Sequence, residues 1–179
     1  MQIVAKERTT KKQAKEITNV VMQAAKLLKN PEAKPMDFFN YCIFGMIFAV
    51  VAGIVFAVLI AVGRGTVLTY IALCVMALLL VTAIIVYRTV CRFRNTLLNK
   101  DRNVLIVIDE EGIDYDDHEK LKMKTPWTGI SFIREFDECL YFFPTDITGL
   151  VICVNRKETD GVSACLKELG IGTRMIRKK

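Results

Sequence analysis

Histidine is almost missing from this chain, and charge is missing from one long stretch of it. His118 is the only histidine among 179 residues. Six cysteines are present (Cys42, Cys74, Cys91, Cys139, Cys153 and Cys165), but no two form a C-x-x-C pair. Zinc sites cluster Cys and His at short spacing, so no metal centre is expected. No glycine-rich phosphate loop and no G-x-S-x-G elbow occurs. With one histidine and no such motif, neither enzyme chemistry nor a cofactor is expected. The cysteines lie mostly in apolar runs and read as small buried hydrophobes, in keeping with a reducing cytoplasm.

The missing charge lies between residues 38 and 87, where Arg64 is the only charged side chain. The chain is 53% hydrophobic and 25% charged, and those figures coexist because the two kinds of residue are segregated. Residues 38–62 and 67–87 each exceed or match the roughly 20 apolar residues that cross about 30 Å of hydrocarbon. Lipid offers the backbone no hydrogen-bond partner, so both runs are expected to be helices. Gly63-Arg64-Gly65-Thr66 between them reads as a tight turn, which predicts an antiparallel helical hairpin. The apolar run after Met36 is longer than the roughly 7–15 residues of a signal-peptide core, so cleavage is not expected. No ionisable residue lies within either run, which argues against a proton channel or transporter.

The net charge of +6 is unevenly placed. Residues 1–36 carry eight basic and three acidic side chains, and residues 88–102 carry five basic and one acidic. Residues 103–179 carry eleven basic and fourteen acidic. Nucleic-acid binding calls for a basic patch on a folded surface, and here the basic excess flanks the apolar runs instead. It reads as a topology signal and as attraction to lipid headgroups. The positive-inside bias predicts a multi-pass protein of the inner (cytoplasmic) membrane with both termini in the cytoplasm. Membrane lipid is thus an expected partner, and nucleic acid is not.

Three segments are expected: a basic amphipathic helix within 1–36, a membrane hairpin with its basic flank over 37–102, and a sheet-rich domain over 103–179. In the first, Ile17, Val20, Val21, Ala24, Leu27 and Leu28 share a face opposite several lysines, and Asn30-Pro31 ends the helix. That helix lies either on anionic lipid or on the folded domain. In the second, Gly45, Ala49, Gly53, Ala57 and Ala61 recur at every fourth position. Such small-residue stripes admit close helix packing in lipid, here either against the second span or against another protomer, so a homo-oligomer is possible. In the third, short β-rich runs at 104–108, 113–115, 121–125, 130–136, 139–143 and 150–154 alternate with turns. The spacing of Phe132 and Phe136 predicts that both face the buried side. A helix capped by Thr159 and stopped by Gly170 follows. The expected fold class is a membrane helical hairpin plus an α+β domain of antiparallel strands followed by a C-terminal helix.

Particular residues carry a resemblance. They are Asp109-Glu110-Glu111-Gly112-Ile113, Trp127-Thr128-Gly129-Ile130, Ile133-Arg134-Glu135, Leu140-Tyr141-Phe142, and Val151-Ile152-Cys153-Val154 running into Arg156-Lys157. With the two apolar runs before them, these resemble the YcxB-like family of bacterial membrane proteins. The resemblance implies two membrane helices and a small C-terminal domain similar to pleckstrin-homology domains.

The candidate contact residues are Asp114, Asp116, Asp117 and Glu119 in an acidic hairpin, together with Trp127. The carboxylates lack the spacing of an EF-hand loop and read as a solvated turn or a protein-binding surface. Trp127 reads as a core anchor, a headgroup-level residue or a partner contact. The expected function is a membrane-anchored, non-enzymatic binding or regulatory module with a protein partner. By analogy with other small membrane proteins, an immunity protein against a bacterial toxin is the alternative.

Overall fold

The chain opens with a strand that the sequence reading did not anticipate. In the computed structural model, which describes residues 1–5, 9–99, 104–117, 121–146, 150–171 and 175–176, Gln2–Ala5 forms β1. It pairs antiparallel with β2 (Val104–Ile108), with Ile3 opposite Ile106. The N-terminal ammonium donates to the Ile108 carbonyl at 2.5 Å, and the Ile108 N–H donates to the Met1 carbonyl at 2.7 Å. Ile3 is buried in the same apolar cluster as Ile106 and Ile108. The chain therefore divides into two compact units, Met1–Pro35 with Arg94–Lys179, and Met36–Phe93. This differs from the expected division at 36 and 103. The physical reason is that β2 would otherwise be an unpaired edge, and the chain's own first residues pair with it.

Two sheets build the first unit. One has the order β1-β2-β3-β4, with β3 at Gly112–Asp116 and β4 at Lys122–Pro126. The other has the order β7-β6-β5-β8, from β5 (Ile130–Glu135), β6 (Cys139–Pro144), β7 (Ile152–Asn155) and β8 (Met175–Ile176). All pairs are antiparallel except β5 with β8. Ile113, Trp127, Ile133, Leu140, Phe142 and Ile152 join both sheets in one core.

The helix α5 (Thr159–Glu168) closes that core with Val162 and Leu166. Thr159 lies inside α5 rather than capping it. Asn155 instead accepts from the Lys157 N–H at 3.2 Å and starts a short helical turn ahead of α5. Gly170, at φ +73°, ends the helix as expected. Its N–H donates to Lys167 and that of Ile171 to Leu166, a pairing that satisfies the last carbonyls.

The second sheet is covered on both faces. Adjacent Phe132 and Ile133 point to opposite faces of β5 and are both buried, Ile133 in the core shared by the two sheets and Phe132 on the other face. Phe132 and Phe136 share one face, as their spacing predicts, against Phe143 and Tyr141 respectively, although Phe136 is only half-buried and the face of Ile133 is buried as well. Phe132 stacks on Phe143, with centroids 4.4 Å apart. Helix α1 (Lys11–Met22) packs on β6. It begins at Thr10, whose hydroxyl accepts from Gln13 while the Gln13 side chain accepts from the Thr10 N–H, a reciprocal cap. The helix breaks at Gln23 and resumes as α2 (Ala24–Lys29). Ala14, Ile17, Val20 and Leu27 are buried. Of the two placements left open for this segment, it is the folded domain that covers its apolar face.

In the second unit, α3 (Phe38–Ala61) and α4 (Val67–Asn99) are both long and apolar enough to cross a membrane. Gly63, at φ +70°, turns the chain between them, and a Cβ at Gly65 would stand 3.2 Å from Ile60. The less exposed positions of α3 include Phe39, Cys42, Met46, Ala49, Gly53 and Phe56, and those of α4 include Leu73, Met76, Leu80, Ala83, Tyr87 and Val90. Both sets step by three and four, the spacing of a supercoiled pair. The rings of Phe39 and Tyr87 meet at 5.1 Å.

The expected small-residue stripe is not this seam. Ala49 is buried and Gly53 half-buried, but Gly45, Ala57 and Ala61 are exposed. Steps of four advance around a helix by about 40° each, so five such residues drift off any one face. A Cβ added at Gly45 or Gly53 would meet nothing within 4 Å. No other part of this chain approaches either glycine closely.

Candidate interaction surfaces

Strands β3 and β4 set the acidic hairpin in register, and that register neutralises much of it. Asp114 stands opposite Lys124, and Asp116 opposite Lys122. Lys122 lies 3.9 Å from the Asp116 carboxylate. Lys124 pairs with Glu111, and that carboxylate, with Asp114 and Asp109 adding to it, raises the lysine above its ordinary range. The expected acidic surface is therefore a mixed-charge sheet face in which lysine and carboxylate alternate across strands.

Two of the acidic residues build turns. Asp109 Oδ1 accepts from the N–H groups of Glu111 at 2.8 Å and Gly112 at 2.9 Å. Those two donors, Gly112 foremost, hold its carboxyl below the usual range. Asp117 Oδ1 accepts from Leu121 N–H at 2.8 Å, while the Asp117 N–H donates to the Leu121 carbonyl. Asp117 thus ties the β3–β4 connection together. Glu119 and His118 lie outside the described residues.

Trp127 is a core residue, 8% exposed. Its indole N–H donates to the Asp109 carbonyl at 3.0 Å, which satisfies the one polar atom of the ring. The hairpin turn and the tryptophan are therefore coupled, with the ring holding the turn from beneath. Of the five residues expected at a contact surface, Asp114 and Asp116 share one sheet face, Asp117 braces the turn and Trp127 is sealed inside.

Two polar clamps were not foreseen. Glu16 on α1 reaches the β5–β6 turn, accepting from Glu138 N–H at 2.9 Å, Cys139 N–H at 3.0 Å and the Tyr141 hydroxyl at 3.1 Å. Burial raises its carboxyl above the ordinary value, the three donors oppose that shift, and nearby Asp137 adds to it. Burial also holds the Tyr141 phenol far above its ordinary range, so it stays protonated and donates. The signal for Glu16 was present: it sits four residues before Val20, on the apolar face of a helix whose other charges are lysines.

Arg134 forms the second clamp. Its guanidinium donates to the carbonyls of Pro31, Glu32 and Ala33, at 3.2 Å to Glu32 and 2.6 Å to Ala33. It also lies 4.6 Å from the Phe136 ring centre. The segment that leads into α3 is thereby pinned to β5. Nothing in the local sequence marks this arginine, because its acceptors are main-chain atoms about a hundred residues away.

All six cysteines are free thiols. Among the described residues, no three His, Cys, Asp or Glu side chains form a group able to hold a metal ion. Compared with known protein families and with curated proteins, the sequence matches no family model and no curated protein.

Proposed function

We propose that this chain is a membrane-anchored, non-enzymatic binding or regulatory module. Its two apolar helices span the inner membrane, and its folded unit lies on the cytoplasmic side. The observation that carries the reading is the pairing of β1 with β2. One strand precedes the hairpin and the other follows it. A hydrogen-bonded sheet cannot close across a bilayer, whose core offers no partner to open strand edges. Both ends of the hairpin are therefore on one side, and the flanking lysines and arginines favour the cytoplasm. The finer reading of the folded unit is the pleckstrin-homology-like domain that the YcxB-like resemblance implies, with the difference that its first strand here precedes the hairpin. Four strands in one sheet, a meander in the other and a following helix support it.

The partner in this reading is a protein that recognises the mixed-charge face of β3 and β4. A domain held beside the membrane meets other membrane components at high effective concentration, so modest contacts suffice. The test exchanges one pair of charges. Asp116→Lys combined with Lys122→Glu keeps an ion pair across the strands but reverses the pattern a partner reads. The full chain, purified in mild detergent, should lose a co-purifying protein on this exchange while keeping its yield and fold. Retention of every co-purifying protein would remove this face from the proposal. A thiol placed at Arg64 should react with an impermeant reagent outside intact cells; protection there would overturn the orientation.

A further inference from the structure

Helices α1 and α2 give their apolar faces to the protein and their lysines to solvent. Lys11, Lys12, Lys15, Lys26, Lys29 and Lys34 are all exposed. The one carboxylate in the two helices, Glu16, is turned inward and held by three donors. Among the described residues, Lys11, Lys12, Lys26, Lys29 and Lys34 form no ion pair. Only Glu32 offers an exposed carboxylate between Thr9 and Pro35. Those five lysines lie on the segment that leads into α3.

Two further features tie this segment to the start of α3 in sequence and to β5 in the fold. Arg134 pins the carbonyls of residues 31–33 to β5, so the lead-in segment does not swing freely from the unit. From Asn30 to Phe38 the chain reaches at most about 28 Å even when fully extended. The anionic headgroup layer is then the most concentrated negative surface within reach.

We propose that the outward face of α1 and α2 is an electrostatic docking surface for anionic lipid headgroups, one that adheres without inserting. The inference rests on the membrane-anchored reading and adds a second contact to it. Insertion of an amphipathic helix needs its apolar face, and here Ile17, Val20 and Leu27 are already buried against protein. What remains is charge alone, so the contact depends on anionic lipid and is screened by salt.

The full chain in lipid nanodiscs tests this by the rate of lysine acetylation, read residue by residue by mass spectrometry. Lys122, on β4 and exposed, serves as the internal reference. Discs of phosphatidylcholine containing phosphatidylglycerol should slow Lys11, Lys12, Lys15, Lys26 and Lys29 by roughly fivefold relative to pure phosphatidylcholine discs. The protection should vanish in about 0.5 M salt, where screening acts over roughly 4 Å. Combining Lys11→Gln, Lys15→Gln and Lys26→Gln should also release Lys12 and Lys29. Equal rates in both kinds of disc would overturn the docking surface, as would protection that salt does not reverse. Protection in neutral discs that requires an added acidic protein would assign the face to that class of partner and overturn the lipid. Failure of the chain to enter discs at all would instead remove the anchored reading on which the proposal rests.

Discussion

Large apolar side chains face opposite ways in the two units of this molecule. In the hairpin, Phe44, Phe48, Ile54, Leu68 and Leu78 are each more than half exposed. In the sheet unit, Ile133, Leu140, Phe142 and Phe143 are at most 1% exposed. The residue types are alike, so hydrophobicity alone does not decide the outcome. The strands interleave their apolar residues with turns and charges, which leaves one way to seal them. Residues 38–61 and 67–87 of the hairpin are apolar all round, and most of that surface is left uncovered by the protein, as expected of helices long and apolar enough to cross a membrane. The sheet unit is therefore held by position-specific packing, whereas most of the hairpin's apolar surface has no packing partner within the chain.

Truncation of a sealed side chain should break that contrast most strongly. Phe142→Ala should destabilise the sheet unit by about 3–5 kcal/mol, from lost burial together with the cavity left behind. Phe48→Ala, at a side chain that is two-thirds exposed on α3, should stay within about 0.5 kcal/mol. Denaturant unfolding in detergent, followed by near-ultraviolet dichroism of the Trp127 environment, measures both. Similar costs for the two would mean that the hairpin is packed as specifically as the sheets.

Backbone spacing gives a second contrast. A Cβ at Gly112 would stand 2.1 Å from the Thr125 carbonyl oxygen and 2.8 Å from Pro126 Cα. Neither strand can yield without losing register, because Gly112 is paired directly with Pro126. Gly112→Ala should cost about 1–3 kcal/mol or more in the same unfolding measurement. A neutral result would show that the start of β3 moves freely and that its register is set elsewhere.

Much of the architecture was readable beforehand. The two apolar helices, the glycine turn, six strands after residue 103 and the Gly170 stop all follow from local pattern. What escaped was non-local. Gln2–Ala5 is too short to declare itself a strand, and its partner lies about a hundred residues further on. The Arg134 clamp has main-chain acceptors that no side chain advertises. The fourfold stripe on α3 was legible as a pattern, but the helical angle carries it around the surface instead of along a seam. At the acidic hairpin the carboxylates were visible, while their neutralisation by Lys122 and Lys124 needed the β3–β4 register.

Glu16 sharpens the comparison within the first unit, where a buried polar clamp sits among apolar contacts. Glu16→Ala leaves two N–H groups and the Tyr141 hydroxyl without their acceptor and should cost about 1–3 kcal/mol. Its titration has a defined sign. Because burial raises the native carboxyl above its ordinary value of 4.5, the folded state binds the proton more tightly than the unfolded chain does. Stability should therefore fall as pH rises from 4.5 through the raised native value, and should level off above it. Glu16→Gln should flatten that part of the stability–pH curve. An unchanged slope in the glutamine variant would assign the dependence to another group.

The smallest effect is expected at Gly53, and it separates two kinds of helix contact. If α3 met α4 by close backbone approach, even one added methyl would force the helices apart. A Cβ at this position meets nothing within 4 Å, although the residue is half-buried at the seam. The added methyl has room, and alanine favours the helix over glycine by up to about 1 kcal/mol. Gly53→Ala should therefore leave the hairpin unchanged or slightly more stable, as read by thermal loss of helical dichroism in detergent. Gly45→Ala, on the exposed side, should behave the same way, since its Cβ also meets nothing. Size-exclusion chromatography with light scattering completes the measurement. If either alanine variant dissociates an oligomer, the small residues are making a close contact with a second copy of the chain, and the lipid-facing surface of α3 is more specific than its exposure in one chain implies.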